Sequence, residues 1–475
     1  MHFQLKSSYL KKMGYLFWLV LLIFSIQFYE ERAIFIDGAF QLFEVLNYGS
    51  FQVYAFRFTS VLTQATPLLI SKLGLPLSWS LFSYSVGFIV LYGFIYHLIV
   101  HYLRNDLLGW AMIFFFSLLV FESFYYPVAE LKLGIALTLL FFAILLKHPR
   151  PSLWILFLLS LLTIPICFTH RLVFAFYLFL GIFFLLNNNA LRNKYFLGLF
   201  AIALGVITIQ SKYFTNWYDR SKQEEFWNNL EKYFPNFHEI PSHQTFLNEC
   251  LHHYYFFPIL LTLASLGYLF QIFKKNNKIA YPLLKLGLIL GFCICYITIN
   301  HILAPKTFHR FYYETNYLPL SLVVTVPFLF DFIPAYGKRK SLFYVFGIIL
   351  LIRLNTIYFN HKVYTKRIDW MEEKMEIGHQ QGHHKIIIPL EEAPYKKHTM
   401  DWALSYESLL LSKSRRPHQP ASLLLTSKDY HKHECVLENT NCYMTTFKVQ
   451  FSDEFFESGA LLLPDEKYIY LENKK

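Results

Sequence analysis

Charged side chains are scarce in this chain: Asp, Glu, Lys and Arg make up 16% of its 475 residues, against about 25% in ordinary soluble domains. That shortage excludes a conventional soluble globular fold. Cysteine is rarer still, with six residues, and gives little chemistry. Cys293 and Cys295 lie two apart in an apolar run, so they face different sides of one helix and read as core packing. Cys435 and Cys442 stand in a polar tail, where they either close a short disulfide loop or remain two thiols. No Ala-x-Ala-like cleavage site follows the first apolar run, residues 13–29, which is therefore expected to stay in place as a signal anchor. His379, His383 and His384 lack acidic or cysteine partners around them, so no metal site is expected there and no divalent-metal cofactor is indicated.

Apolar residues are abundant. They form 55% of the chain, aromatics form 20%, and the mean hydropathy is +0.34. They come in blocks separated by short polar stretches, at about residues 13–29, 79–103, 107–121, 128–146, 153–168, 172–186, 195–213, 254–273, 282–301, 317–333 and 342–359. Blocks of this kind predict an all-α polytopic membrane protein with about eleven transmembrane helices; the block at 107–121 is short enough to tilt little or be partly re-entrant. The formal net charge is +11, but its distribution argues against nucleic acid. Lys6, Lys11 and Lys12, then Arg104, Lys147 with Arg150, Arg192 with Lys194, Lys274 with Lys275 and Lys278, and Lys338–Lys340 all fall on one side of an eleven-span arrangement. That side is cytoplasmic by the positive-inside rule, which places the N-terminus inside and the C-terminus outside a cytoplasmic membrane.

The outer side then receives two long loops, 30–78 and 214–253, and a tail, 360–475, beyond a transmembrane domain of 1–359. In the first loop, FQVYAFRFTSVLTQATPLLISKLGLPLSW is interrupted by Arg57, Gln64 and Pro67, and reads as an amphipathic stretch along the interface. In the tail, KIIIPL, SLLLT, MTTFKV and KYIYL read as strands and DWALSYESLLLSK as a helix, forming a small extracytoplasmic α/β domain.

Asp37, Glu44, Arg57, Glu122, Glu130, His170, Arg171, Lys306, His309 and Arg310 all gather near that outer face. Carboxylates at a membrane edge are costly and tend to mark a site. Glu130 opens an apolar block and requires a partner, Lys132 or a neighbouring helix; Glu122 in its short turn reads as solvated. A first apolar helix, an external loop with an acidic residue, an amphipathic stretch with Thr66-Pro67-Leu68-Leu69, a second helix, a tight turn and a helix starting at Glu130 follow in order. Over residues 10–200 this layout resembles the GT-C glycosyltransferases, which include protein O-mannosyltransferases and lipid A aminoarabinose transferases. The resemblance implies inverting transfer of a hexosyl or pentosyl group from a polyprenyl-phosphate donor to a lipid, glycan or protein acceptor. It makes Asp37 the catalytic base, although the paired acidic residues common in that family are absent: Gly38 follows Asp37. Asp37 also suits a helix N-cap, and the two roles are compatible.

The chemistry is consistent with that implication. Sugar transfer passes through an oxocarbenium-like state, a carboxylate can take the acceptor proton, and the departing phosphate calls for cations, best Arg. Arg310 and Arg171, with His309, His170 and Lys306, are the candidates for the phosphate; Glu44, Arg57, Glu122 and Glu130 are accessory. Arg171 and Arg310 also suit simple snorkelling to headgroups. Two other functions compete. A surface-polysaccharide polymerase or ligase would place its essential acid in the 214–253 loop. A transporter or flippase would show an internal repeat and mid-span charges, and only Lys285 and Arg353 are of that kind. The topology is testable: alkaline phosphatase fused after Lys475 should be active, and fused at residues 338–340 inactive; the reverse pattern would invert the arrangement.

Overall fold

The computed structural model describes residues 7–128, 130–274, 279–306, 310–336, 341–390, 393, 402–426, 440–445, 449–451 and 461–471. It is mostly helical: α1 (Ser7–Gln27), α2 (Tyr29–Ala33), α3 (Asp37–Tyr48), α4 (Ser60–Lys72), α5 (Leu77–His97), α6 (Asp106–Phe115), α7 (Glu130–Lys147), α8 (Leu153–Thr169), α9 (Arg171–Asn187), α10 (Lys194–Tyr213), α11 (Trp217–Tyr233), α12 (Pro241–His252), α13 (Phe256–Lys274), α14 (Ala280–Leu303), α15 (Arg310–Tyr317), α16 (Leu320–Pro327), α17 (Ile333–Tyr336), α18 (Ser341–Gln380) and α19 (Leu404–Arg415). Their starts follow local chemistry. Asn105, Ser152, Asn193 and Asn216 each accept a backbone N–H at the head of α6, α8, α10 and α11, and Pro241 opens α12.

Among the described residues, six helical stretches are long and apolar enough to cross a membrane: Leu10–Gln27, Leu77–Tyr102, Lys194–Tyr213, Phe256–Lys274, Ala280–Leu303 and Tyr313–Phe332. The other five expected spans also fall on helices, but of different character. Helices α6, α8 and α9 have 10, 17 and 17 residues; seventeen residues reach only about 26 Å, short of a hydrocarbon core of about 30 Å. Helix α7 carries Glu130, Lys132 and Lys147, and the last block is the first half of the 40-residue α18. The amphipathic stretch folds as a 3₁₀ turn, Tyr54–Phe56, and α4, which buries Ser60, Thr63 and Gln64 and exposes Leu62 and Leu69. Polar-in, apolar-out is the pattern for a helix facing lipid.

The tail folds as expected in outline. Strands β1 (Lys385–Pro389), β2 (Ser422–Thr426), β3 (Cys442–Met444), β4 (Val449–Phe451) and β5 (Ile469–Tyr470) form a parallel sheet in the order β2-β1-β5 and an antiparallel β3-β4 ribbon. Register is set by Ile387 opposite Leu424 and Tyr470, and α19 packs on β2. No break falls at 359–360: α18 runs through it as one helix. Cys442 is buried in β3, and Cys435 lies outside the described residues.

The expected Glu122–Pro127 turn is part of a largely buried irregular segment, residues 116–128. Non-helical backbone at this depth must have every polar group satisfied within the protein. Charged side chains do it. Arg353 donates to the carbonyls of Ser117 (3.0 Å) and Val120 (2.7 Å), Lys132 to those of Ser123 and Tyr126, and Arg32 to that of Phe124. From the opposite polarity, the Glu314 carboxylate accepts the N–H groups of Phe121 (2.6 Å), Glu122 (2.9 Å) and Ser123 (2.9 Å) and the Ser123 hydroxyl. Arg353 thus has a structural post as a carbonyl cap, whereas Lys285 pairs with Asp331 at 2.9 Å. Replacing Glu314 by Leu strands three buried amides at about 1–3 kcal/mol each, so stability in detergent should fall by about 3 kcal/mol or more. Arg220→Ala, on an exposed position of α11, should stay within about 0.5 kcal/mol; equal unfolding temperatures for the two variants would refute this account of the segment.

Candidate functional site

The segment ends by presenting Tyr126, whose hydroxyl donates to Asp37 Oδ2. Asp37 is the first residue of α3, following a non-helical Ile36, so its side chain is not the helix cap; it faces Tyr126 instead. The other oxygen, Oδ1, accepts no hydrogen bond among the described residues. Burial, with the nearby Glu130 charge, pushes the Asp37 carboxyl up to about 6, while the Tyr126 hydrogen bond and the Arg57 charge oppose the rise. A carboxyl tuned near ambient pH is suited to taking up a proton.

Glu130 finds its partner on the first loop and not in Lys132: Arg57 Nη1 lies 3.0 Å from Glu130 Oε2. Glu130, foremost among the causes, raises the Arg57 guanidinium above its usual range. Phe56 and Phe58, on either side of Arg57 in sequence, close a chain of four rings: Phe56 and Phe214 have centroids 5.4 Å apart, Phe168 and Phe214 5.1 Å, and Phe58 and Phe168 5.6 Å. Beyond them Arg171 pairs with Asp219 of α11 at 3.4 Å, its side chain 38% exposed. His170 is not the cation expected. Its Nδ1 accepts the Leu172 N–H and caps α9, and burial, helped by Arg57 and Arg171, lowers its imidazole to about 3. It is neutral at physiological pH.

Arg310 belongs to a second cluster, separated from Asp37 by Phe311, which packs against Tyr126 at 5.1 Å and Phe35 at 5.1 Å. Its guanidinium contacts Glu122 Oε1 at 3.2 Å and Glu249 Oε2 at 3.0 Å. Two carboxylates hold it. Glu122 is buried rather than solvated, because the segment bearing it is enclosed; burial raises its carboxyl to about 8, with Arg310 opposing. Glu44 faces away from this cluster and accepts the Tyr54 hydroxyl at 2.7 Å. Lys306 is exposed, and His309 lies outside the described residues. No group of three or more His, Cys, Asp or Glu that could hold a metal is present among the described residues.

Sequence reasoning missed Tyr126, Asp219, Glu249 and Glu314. Only Glu249 and Glu314 carried a hint, as acids beside apolar blocks; Tyr126 sits among many aromatics with nothing to distinguish it. No family model matches this chain, and no curated protein or solved structure is significantly similar to it.

The Asp37 carboxyl gives a direct test. An apolar carbodiimide, which reacts with protonated buried carboxyls, should label Asp37 at pH 5 and lose reactivity above pH 7, with a midpoint near 6. Tyr126→Phe removes a hydrogen bond that favours the ionised form and should move the midpoint upward. A midpoint near 4 in the native protein would show Asp37 to be an ordinary solvated carboxylate.

Proposed function

We propose that the chain is a multi-pass membrane glycosyltransferase that moves a sugar from a polyprenyl-phosphate donor to an acceptor on the outer face of a cytoplasmic membrane. What carries the reading is one arrangement: a carboxyl raised towards neutrality, with one oxygen held by Tyr126 and the other unclaimed, beside the Arg57–Glu130 pair at the end of an apolar helix. Asp37 takes the acceptor hydroxyl proton as the oxygen attacks the sugar C1. The C1–O bond to phosphate breaks, and the polyprenyl phosphate leaves as an anion with inversion at C1. Arg171 is the leading donor-phosphate residue, since it has one carboxylate partner and an exposed edge, whereas Arg310 is divided between two carboxylates. The exposed phenylalanines Phe56 and Phe58 flank Arg57 and suit the first isoprene units or the sugar face.

A polymerase or ligase remains the second reading, favoured by the fact that α11 delivers Asp219 to the same cluster. Profiling lipid-linked and surface glycans in a deletion strain identifies the missing product; complementation then separates the two readings. Asp37→Asn keeps shape and should lower product formation by about 10²–10⁴-fold while the protein still inserts, with Asp219→Asn milder. Full activity of the Asp37→Asn protein would overturn Asp37 as the base, and a dead Asp219→Asn beside an active Asp37→Asn would favour the second reading.

A further inference from the structure

We propose that Glu407, in the C-terminal domain, is a positioning residue for Asp37, so that the site is complete only with that domain docked. The inference rests on the reading of Asp37 as base. Ile36, the residue before it, has φ 45° and ψ −116°. This is a left-hand-side conformation that a β-branched residue adopts only when its surroundings impose it. The imposing group is 371 residues away in sequence: Glu407 Oε1 accepts the Ile36 N–H at 2.8 Å. Glu407 Oε2 is in turn held by Arg367 Nε at 2.7 Å, with side-chain exposures of 0% and 5%.

The neighbouring contacts lock the same turn. Arg367 lies over the Phe35 ring at 5.6 Å. Phe35 packs edge-on against Tyr364 at 4.9 Å and against Tyr126 at 6.2 Å, and Tyr126 is the residue that grips Asp37. The Ile36 carbonyl accepts the Phe40 N–H at 2.9 Å and so starts α3. Without an acceptor on its N–H, Ile36 loses what imposes its conformation, and relaxation of ψ at Ile36 turns the Asp37 peptide away from Tyr126. The domain is otherwise fastened by Arg415 to Glu30 and Glu372 and by Tyr406 against Phe40 and Phe43, contacts that can hold it in place when Glu407 is changed.

Two double variants isolate the hydrogen bond. Arg367→Met with Glu407→Gln removes both buried charges and keeps an acceptor for Ile36; Arg367→Met with Glu407→Leu removes the charges and the acceptor together. They share every other loss, so their difference belongs to the acceptor. Carbodiimide labelling of Asp37 against pH, read by mass spectrometry on the full-length protein, is the main measurement. The Gln pair should keep the native midpoint. In the Leu pair the carboxyl turns out of the burial that is the main cause of its rise, which outweighs the lost Tyr126 hydrogen bond, so the midpoint should shift down by a pH unit or more and product formation should fall at least tenfold, at matched thermal stability. Identical labelling profiles in the two pairs would overturn the proposal. If the Leu pair does not fold, Glu407→Asp, which keeps the charge but shortens the reach, must show the same downward shift, and a native profile there overturns the proposal equally. An active Asp37→Asn protein with a shifted Leu-pair profile would refute the base and leave the positioning intact.

Discussion

The fold turns on how one irregular segment is kept inside a helical bundle. Residues 116–128 cross the interior without a helical ladder, and their backbone groups are answered by basic and acidic side chains. Arg353 and Arg32 come from helices far apart in sequence, Lys132 from the helix that follows, and Glu314 from a fourth element. Charge-assisted hydrogen bonds are stronger than neutral ones, and here each charge meets several partners at once. The segment therefore acts as a keystone for α2, α7, α15 and α18. Its two projecting residues, Glu122 and Tyr126, then have fixed places, and the two polar clusters of the outer end grow from them.

Those clusters differ in how their charge is balanced. Around Arg310 two carboxylates approach, and one, Glu122, is driven towards its neutral form. Around Asp37 two carboxyls, Asp37 and Glu130, lead a chain that continues through Arg57, Asp219 and Arg171. The first arrangement is closed on itself and suits a structural clasp. The second ends in a half-exposed guanidinium and in a carboxyl oxygen that has no partner among the described residues, which is where a ligand can intervene.

Much of the secondary structure was legible because apolar blocks and turn residues act locally. Every apolar block folds as helix over most of its length, although the block at 107–121 leaves it after Phe115, and the tail segments KIIIPL and SLLLT pair as adjacent parallel strands. What was not legible depends on long-range pairing. Glu122 reads as solvated from a six-residue polar turn, and nothing nearby reveals Arg310, 188 residues on. His170 reads as a cation because burial is invisible in sequence. Gly49, at φ 56° after α3, is a residue suited to its backbone, whereas Ile36 takes a similar φ with no sign in its identity, because the acceptor that fixes it lies in another domain. Asp37 stands out in the sequence by its place at the end of an apolar run; its partner Tyr126 does not.

Helix α18 has one further consequence. At 40 residues it is about 60 Å long, twice the thickness of a hydrocarbon core of about 30 Å. Its first half is apolar, while its second half carries Arg367, Glu372 and Glu376, the residues that grip the C-terminal domain. The domain therefore rides on a rigid mast and is not a bead on a string. A helix in a bilayer that is too thin or too thick answers by tilting, and a tilt at the foot of a mast is a sideways displacement at its head. With α18 set in a bilayer, lipid chain length would become a mechanical input to the turn at Ile36, delivered through a helix that never touches Asp37.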